Sequence, residues 1–402
     1  MTGTVDRLGG HPAAEEPEVG PDRPGDGTNG DAAGSGDDAP SADAAAAPAT
    51  APRRRRSALV VAGLAAVLAV PVVAAAVAVR HPRWYPLVDM AQIEWRVRDV
   101  GLSHPPLVGL GGRIFGYGTQ GSHPGPLSFY LLAPVYRLLG STSWALQVSA
   151  SVLNIGALAA TVWAAHRRLG LRGALLVAAG LAVLVRLYGT ALIVYPWNPF
   201  LPVLFWTLFL VCVWGVLCDD LVLLPVAVAA GTLCAQTHIP YVALVGGVGA
   251  AVVAALVVAF LRRRDDPGAR RSLLVWSGAS AALGAVLWAP VFVDQLGGSP
   301  GNLSIIVDNF RHPSDPPQGL GAAWPLFLDH LNVLNILRGH RELFASPVPG
   351  LVLLAVWAIA AAAAVLRRER TLVALHATVG VALVVGLVAI SRIFGPAWYY
   401  LL

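Results

Sequence analysis

Lysine is missing altogether: all 28 basic residues of this 402-residue chain are arginine. Charge of either sign is scarce, at 13% of residues, about half the ~25% of a soluble domain. Cysteine is nearly absent too. Cys212, Cys218 and Cys234 all sit in or beside apolar runs, and an odd number of such thiols excludes a disulfide framework and reads as small packing residues. There is no phosphate-cradling P-loop, no dinucleotide-binding glycine motif and no zinc-ligand spacing, so ATP-driven transport within this chain is not expected. What the chain has instead is 56% hydrophobic residues, in several uncharged runs long enough to cross a bilayer. A soluble enzyme, a nucleic-acid-binding domain and a fibrous protein are thereby excluded, and an all-α, polytopic transmembrane helix bundle is expected.

The charge is unevenly split. Residues 1–52 carry net −8, residues 53–402 net +13. The first segment is Ala, Gly, Pro, Asp and Glu with almost no large apolar side chain, and such a segment reads as a disordered acidic tail. The arginine-only usage and the Ala, Gly, Val and Leu bias are those of a GC-rich, actinobacterial type of genome. Arginine here is a signal of topology, not of nucleic-acid affinity.

Arg53-Arg54-Arg55-Arg56 precede 23 uncharged residues, 57–79, too long and too far from the start for a signal peptide. Eight more runs follow, at about 142–165, 173–192, 200–217, 221–238, 241–261, 272–293, 347–366 and 371–391, making about nine spans. The stretch 124–140 is ambiguous, with Pro124, Pro126 and Pro134 inside it. If it does not span, the arginine clusters at 53–56, 167–172, 262–271 and 367–370 all share one side. The positive-inside rule favours that arrangement. The N-terminus is then cytoplasmic, 124–140 is interfacial or re-entrant, and two outer loops result, about 80–141 and 294–346. The chemistry is expected on those loops, outside the cytoplasmic membrane. Trp398, Tyr399 and Tyr400 close the chain as an interfacial aromatic cluster, and the sequence reads as cut short before a further helix.

From Asp89 the first outer loop reads as an amphipathic helix. Asp89 and Arg96 are seven apart and share a face, Ile93 and Val97 make an apolar stripe suited to the membrane surface, and Glu94 and Arg98 form an i,i+4 pair. Such a helix is either solvated and salt-bridged, or it presents Asp89 as a general base at the headgroup level. Gly and Pro set turns around Gly111-Gly112-Arg113 and Ser122-His123-Pro124-Gly125-Pro126. His104 and His123 read as metal ligands, hydrogen-bond donors to a phosphate, or packing residues. In the second loop Asp294 and Gln295 stand at the end of a span, where ionisable groups are expensive and often functional. Asn302 and Ser304 read either as helix caps or as part of a site. Arg392 lies near an outer span end, placed to meet a lipid phosphate. Tyr195-Pro196-Trp197-Asn198-Pro199 reads as an aromatic belt turn.

Three features together resemble the GT-C superfamily of integral membrane glycosyltransferases, in the branch of the protein O-mannosyltransferases and aminoarabinose transferases. They are Asp89 in Asp-Met-Ala-Gln-Ile-Glu after the first span, the His123–Leu132 run followed by Tyr136-Arg137-Leu138-Leu139-Gly140, and Asp294-Gln295 with Pro300-Gly301-Asn302-Leu303. The family often has an Asp-Glu pair where Asp89 is followed by Met90, so Glu94 or Asp99 would supply any second carboxylate. The resemblance implies a polyprenyl-phosphate sugar as donor and a glycan, lipid or protein hydroxyl as acceptor, with inversion at the anomeric carbon. Asp89 would be the base, and Arg96, Arg113 and Arg392 the partners of the leaving phosphate. His123, Asp294, Gln295 and Asn302 would line the substrate site. No cofactor or metal is implied, although a divalent cation is compatible. Two other readings stand beside it: a transporter or flippase of lipid-linked saccharides, and a non-catalytic cell-envelope assembly protein.

Overall fold

The computed structural model describes residues 51–313, 315–337 and 346–394, the first six by backbone alone. The acidic tail before residue 51, the Arg53–Arg56 side chains and the Trp398–Tyr400 cluster lie outside the described residues. Thirteen helices are described: α1 (Ala51–Ala78), α2 (Asp89–Asp99), α3 (Leu127–Leu138), α4 (Ser143–Val194), α5 (Pro202–Leu217), α6 (Leu223–Thr237), α7 (Pro240–Arg262), α8 (Pro267–Gly297), α9 (Asn302–Arg311), α10 (Gly319–His330), α11 (Val333–Leu337), α12 (Val348–Leu366) and α13 (Arg370–Ser391). One hairpin, β1 (Gly111–Gly116) and β2 (Thr119–Ser122), interrupts them.

Six of these helices are long and apolar enough to cross a membrane. Their apolar faces point outward: Leu176 and Leu366 are 73% and 83% exposed in the isolated chain. Water would penalise such a surface, and hydrocarbon does not. The protein is therefore a helical membrane protein. At 16 and 15 residues, α5 and α6 fall short of the usual spanning length. So does α3, at 12 residues.

The 52-residue α4 is not one rod. Gly170 adopts φ 65, ψ −156, a conformation open only to glycine. The Asn154 side chain donates to the Ile193 carbonyl (2.9 Å), 39 positions away. A straight helix would hold those residues ~58 Å apart, so the chain folds back at Gly170 into two antiparallel arms. Both arms share one core with α1, through Leu158, Val162, Ala174, Leu181, Leu68 and Val72.

The bundle has two unlike ends. At one, Arg167 forks onto Asp220 (2.8 and 3.0 Å) and Arg263 pairs with Asp219, in the turn between α5 and α6. Trp214 donates there to the Thr371 carbonyl (2.9 Å). Three arginine clusters, 167–172, 262–271 and 367–370, thus meet at one end. At the other end stand α2, the hairpin, α3, α9 and the loop after α4.

The all-α expectation missed the hairpin. Ile114 alternates with exposed Arg113 and Phe115, and the two-residue turn Tyr117-Gly118 takes φ 52 and 73, the left-handed pair that suits a tight hairpin. A second correction concerns α2. Its apolar stripe does not lie on lipid: Ile93 and Val97 are buried against Phe129, Leu132, Tyr136 and Leu146. Packing against α3 and α4 buries that stripe within the protein, which a membrane surface would do only in part.

Candidate functional site

Asp89 opens α2, in its first turn. The residue before it, Val88, has φ 48 and ψ −118. A β-branched side chain avoids that region, and holding it there costs about 1–3 kcal/mol. Local backbone strain thus sits directly before this carboxylate. Asp89 Oδ2 accepts from the Trp197 indole N–H at 2.8 Å. Its other oxygen has no partner among the described residues. Half-buried and at a helix N-terminus, the carboxylate is oriented by one bond and open on its second oxygen.

Two more positions share its face. Gln92 is one turn on, and its Oε1 lies 3.7 Å from where a side chain on Gly111 would begin. Arg96 is two turns on, ~10.5 Å along the axis, exposed and without a polar partner among the described residues.

Glu94 lies on a different face and does something else. It is buried, and Oε1 accepts from Arg98 (2.7 Å), the expected i,i+4 pair. The Tyr136 hydroxyl lies 2.7 Å from the same oxygen and Ser143 Oγ donates to Oε2 (3.1 Å). Tyr136 also accepts from Arg98 Nε (2.8 Å). Burial, then the adjacent Glu94 carboxylate, push the Tyr136 phenol up to about 12, so it stays a neutral donor. This network pins α2 to α3 and to the start of α4. Both oxygens of Glu94 are engaged by donors of the protein.

Trp197 is followed by Asn198, whose buried amide lies 2.7 Å from His123 Nε2 and 3.2 Å from His238 Nδ1. His123 Nδ1 accepts from the Ile239 backbone N–H (3.1 Å). A neutral imidazole has one donor and one acceptor. Nε2 therefore carries the proton; the Asn198 nitrogen Nδ2 faces both rings while its buried oxygen has no partner, and turning the amide end over end would bring that oxygen to Nε2. The two imidazoles sit 5.1 Å apart. Adjacent residues of one loop thus link Asp89 to a buried histidine pair. The loop expected as an aromatic belt turn is instead a polar junction, and His238, outside the expected site, belongs to it. The available signal was Gln236-Thr237-His238, three polar residues closing an apolar run.

Burial pushes His123 down to about 4, against ~6.5 in the unfolded chain. Its contribution to stability is complete above pH 6.5 and is lost as pH falls through 6.5 toward 4. At pH 5 the loss is about 2 kcal/mol. The unfolding midpoint in detergent should fall between pH 7 and pH 5 in the wild type, and fall distinctly less in His123→Gln. An equal fall in both would refute the assignment.

Asp294, Gln295 and Asn302 form a clamp, not a cluster around Asp89. Asp294 Oδ2 accepts from Asn302 N (2.8 Å), and Gln295 brackets Ser304 through its backbone N–H (3.2 Å) and hydroxyl (2.7 Å). The end of α8 thereby caps the start of α9, which has no side-chain cap of its own. Asn302 in turn accepts from Ser122 N (2.8 Å) and donates to Ser122 O (3.1 Å). Asn309 and Asp308 accept from Phe115 N and Tyr117 N, each at 3.0 Å. α9 therefore holds the hairpin in place. Gly116 makes this possible, since a side chain there would meet the Ile305 carbonyl at 2.6 Å.

Arg113 is exposed on the β1 face opposite Ile114, turned away from His123. Arg392 is exposed at the end of α13, and no described contact joins it to Asp89 or the hairpin. No group of three or more His, Cys, Asp or Glu among the described residues has metal-binding geometry. Comparison with protein-family models, curated proteins and solved structures finds no match. The functional reading is therefore carried by the geometry of this site.

Proposed function

We propose that this chain is a membrane glycosyltransferase of the GT-C kind, which moves a sugar from a polyprenyl-phosphate donor to an acceptor hydroxyl. The observation that carries the reading is Asp89: an oriented, half-open carboxylate behind a strained residue, on the non-arginine end of a helical membrane bundle. In the reaction the acceptor oxygen attacks the anomeric carbon from the face opposite the phosphate. Its proton passes to the open oxygen of Asp89. The C1–O bond to the lipid phosphate breaks with inversion, and the phosphate leaves with the electron pair. Arg96, exposed on the same face of α2, is placed to neutralise it. Arg113 faces away from His123 and no described contact joins Arg392 to Asp89, so we assign the leaving-group role to Arg96. The donor is already activated, so no nucleotide or other cofactor is required.

The topology follows the same logic. With the fold-back at Gly170, and with α5 and α6 running between the two ends, the chain crosses nine times. In this reading short α5 and α6 bridge as well, with their connecting turn anchored by Arg167 and Arg263. By the positive-inside rule the arginine end faces the cytoplasm. Asp89 then faces outward, where lipid-linked sugars meet cell-envelope acceptors.

The test uses membranes from cells with and without the chain, given radiolabelled polyprenyl-phosphate sugars in turn. Label should pass from lipid to a glycan, glycolipid or protein fraction only where the chain is present. No chain-dependent transfer from any donor overturns the reading. Label that changes leaflet while still on its lipid establishes a transporter instead.

A further inference from the structure

The arginine end carries a feature that sugar transfer does not use. Where α5 stops at Leu217, a recess of about 630 Å³ opens against the first turns of α13, lined by Leu217, Arg368, Arg370, Val373 and Ala374. Its lining is mostly aliphatic, and two exposed arginines, Arg368 and Arg370, contribute to it. Neither arginine has an ion-pair partner among the described residues, because the nearby carboxylates are already engaged: Asp220 by Arg167 and Asp219 by Arg263. Glu369, between them in sequence, is exposed and does not line the recess. Arg168 adds a third positive charge close by. It sits beside the thiol of Cys218, next to Leu217, and its Nε is buried with no partner. The first turn of α13 also lacks a side-chain cap, which leaves backbone N–H groups facing the same end.

An aliphatic lining beside unpaired guanidinium groups, at one end of a membrane helix bundle, matches one ligand class. We propose that this recess binds an anionic phospholipid, its phosphate between Arg368 and Arg370 and its acyl chain along Leu217, Val373 and Ala374. A soluble anion would use the guanidinium groups but not the aliphatic lining. A zwitterionic lipid would use the lining but bring a second cation to the arginines. Planar, forked guanidinium groups are suited to a phosphate, and basic recesses between helix ends are where such headgroups dock. The proposal is independent of the glycosyltransferase reading.

The test is native mass spectrometry of the full chain in mixed micelles. The probes are dioleoylphosphatidylglycerol, dioleoylphosphatidylcholine and inorganic phosphate. The wild type should retain the anionic lipid over the zwitterionic one by about tenfold or more, and millimolar phosphate should not displace it. R368Q/R370Q should lose most of that preference with its unfolding midpoint unchanged. R172Q/R271Q, which removes two exposed arginines outside the recess, should keep it. Equal retention of both lipids by the wild type overturns the proposal. An equal loss in the two double variants also overturns it and points to diffuse charge attraction. Displacement by phosphate alone overturns it in favour of a simple anion site.

Discussion

Asp89→Asn should lower sugar transfer by at least ~10²-fold, the usual contribution of a positioned general base, while the protein remains folded. The substitution is nearly isosteric. The amide oxygen of Asn can still accept from the Trp197 indole, as Asp89 Oδ2 does at 2.8 Å. What disappears is the second oxygen's capacity to take a proton. Trp197→Phe tests the other half of the arrangement. It keeps the ring packing against Phe200 (4.9 Å between centroids) but removes the donor that orients Asp89, and transfer should fall about tenfold, less than on losing the base itself. Transfer assays at matched protein levels, with unfolding midpoints alongside, measure both. Wild-type activity in Asp89→Asn would remove the base assignment.

Glu94→Ala should act in the opposite way, with a large loss of stability. Three donors, from Arg98, Tyr136 and Ser143, converge on this one carboxylate. Removing it leaves a buried tyrosine hydroxyl and a serine hydroxyl to find other acceptors. The expected cost is about 2–3 kcal/mol, read as a lower unfolding midpoint in detergent. Tyr136 lies 2.9 Å from the Ser141 carbonyl and so keeps one acceptor, which holds the cost below that of a fully orphaned group. Glu94→Gln retains an acceptor oxygen and should recover most of the stability and all of the transfer. If Glu94→Gln instead folded normally and abolished transfer, the reacting carboxylate would be Glu94, and Asp89 would be the structural one.

The two carboxylates show where reading a sequence stops. That both lie on one amphipathic helix was legible from spacing. Which one reacts was not, because it depends on Tyr136, Ser143 and Trp197, residues 42, 49 and 108 positions away from their partners. The membrane class was legible because composition alone encodes it. The fold-back at Gly170 was legible as a gap between two apolar runs, flanked by arginines. Asp294, Gln295 and Asn302 stood out for a sound reason, since polar groups at membrane depth need partners. The sequence could not say whether those partners are a ligand or the backbone of α9 and β2. The hairpin was written locally, in Tyr117-Gly118 and the alternation around Ile114. Its docking was not, because Asn302 meets Ser122 across 180 positions. Arg113 and Arg392 join Arg96 by charge and by their place on the outer side, and neither says which of them comes near Asp89.

The most direct test of the account is transfer by purified chain reconstituted in liposomes with a labelled polyprenyl-phosphate sugar and an envelope acceptor extract, wild type beside Asp89→Asn. The account predicts that label leaves the lipid in the wild type, arrives on the acceptor with the anomeric configuration inverted, and stays on the lipid in the variant. Label that remains on its lipid with both proteins, or that transfers equally well with both, would contradict it.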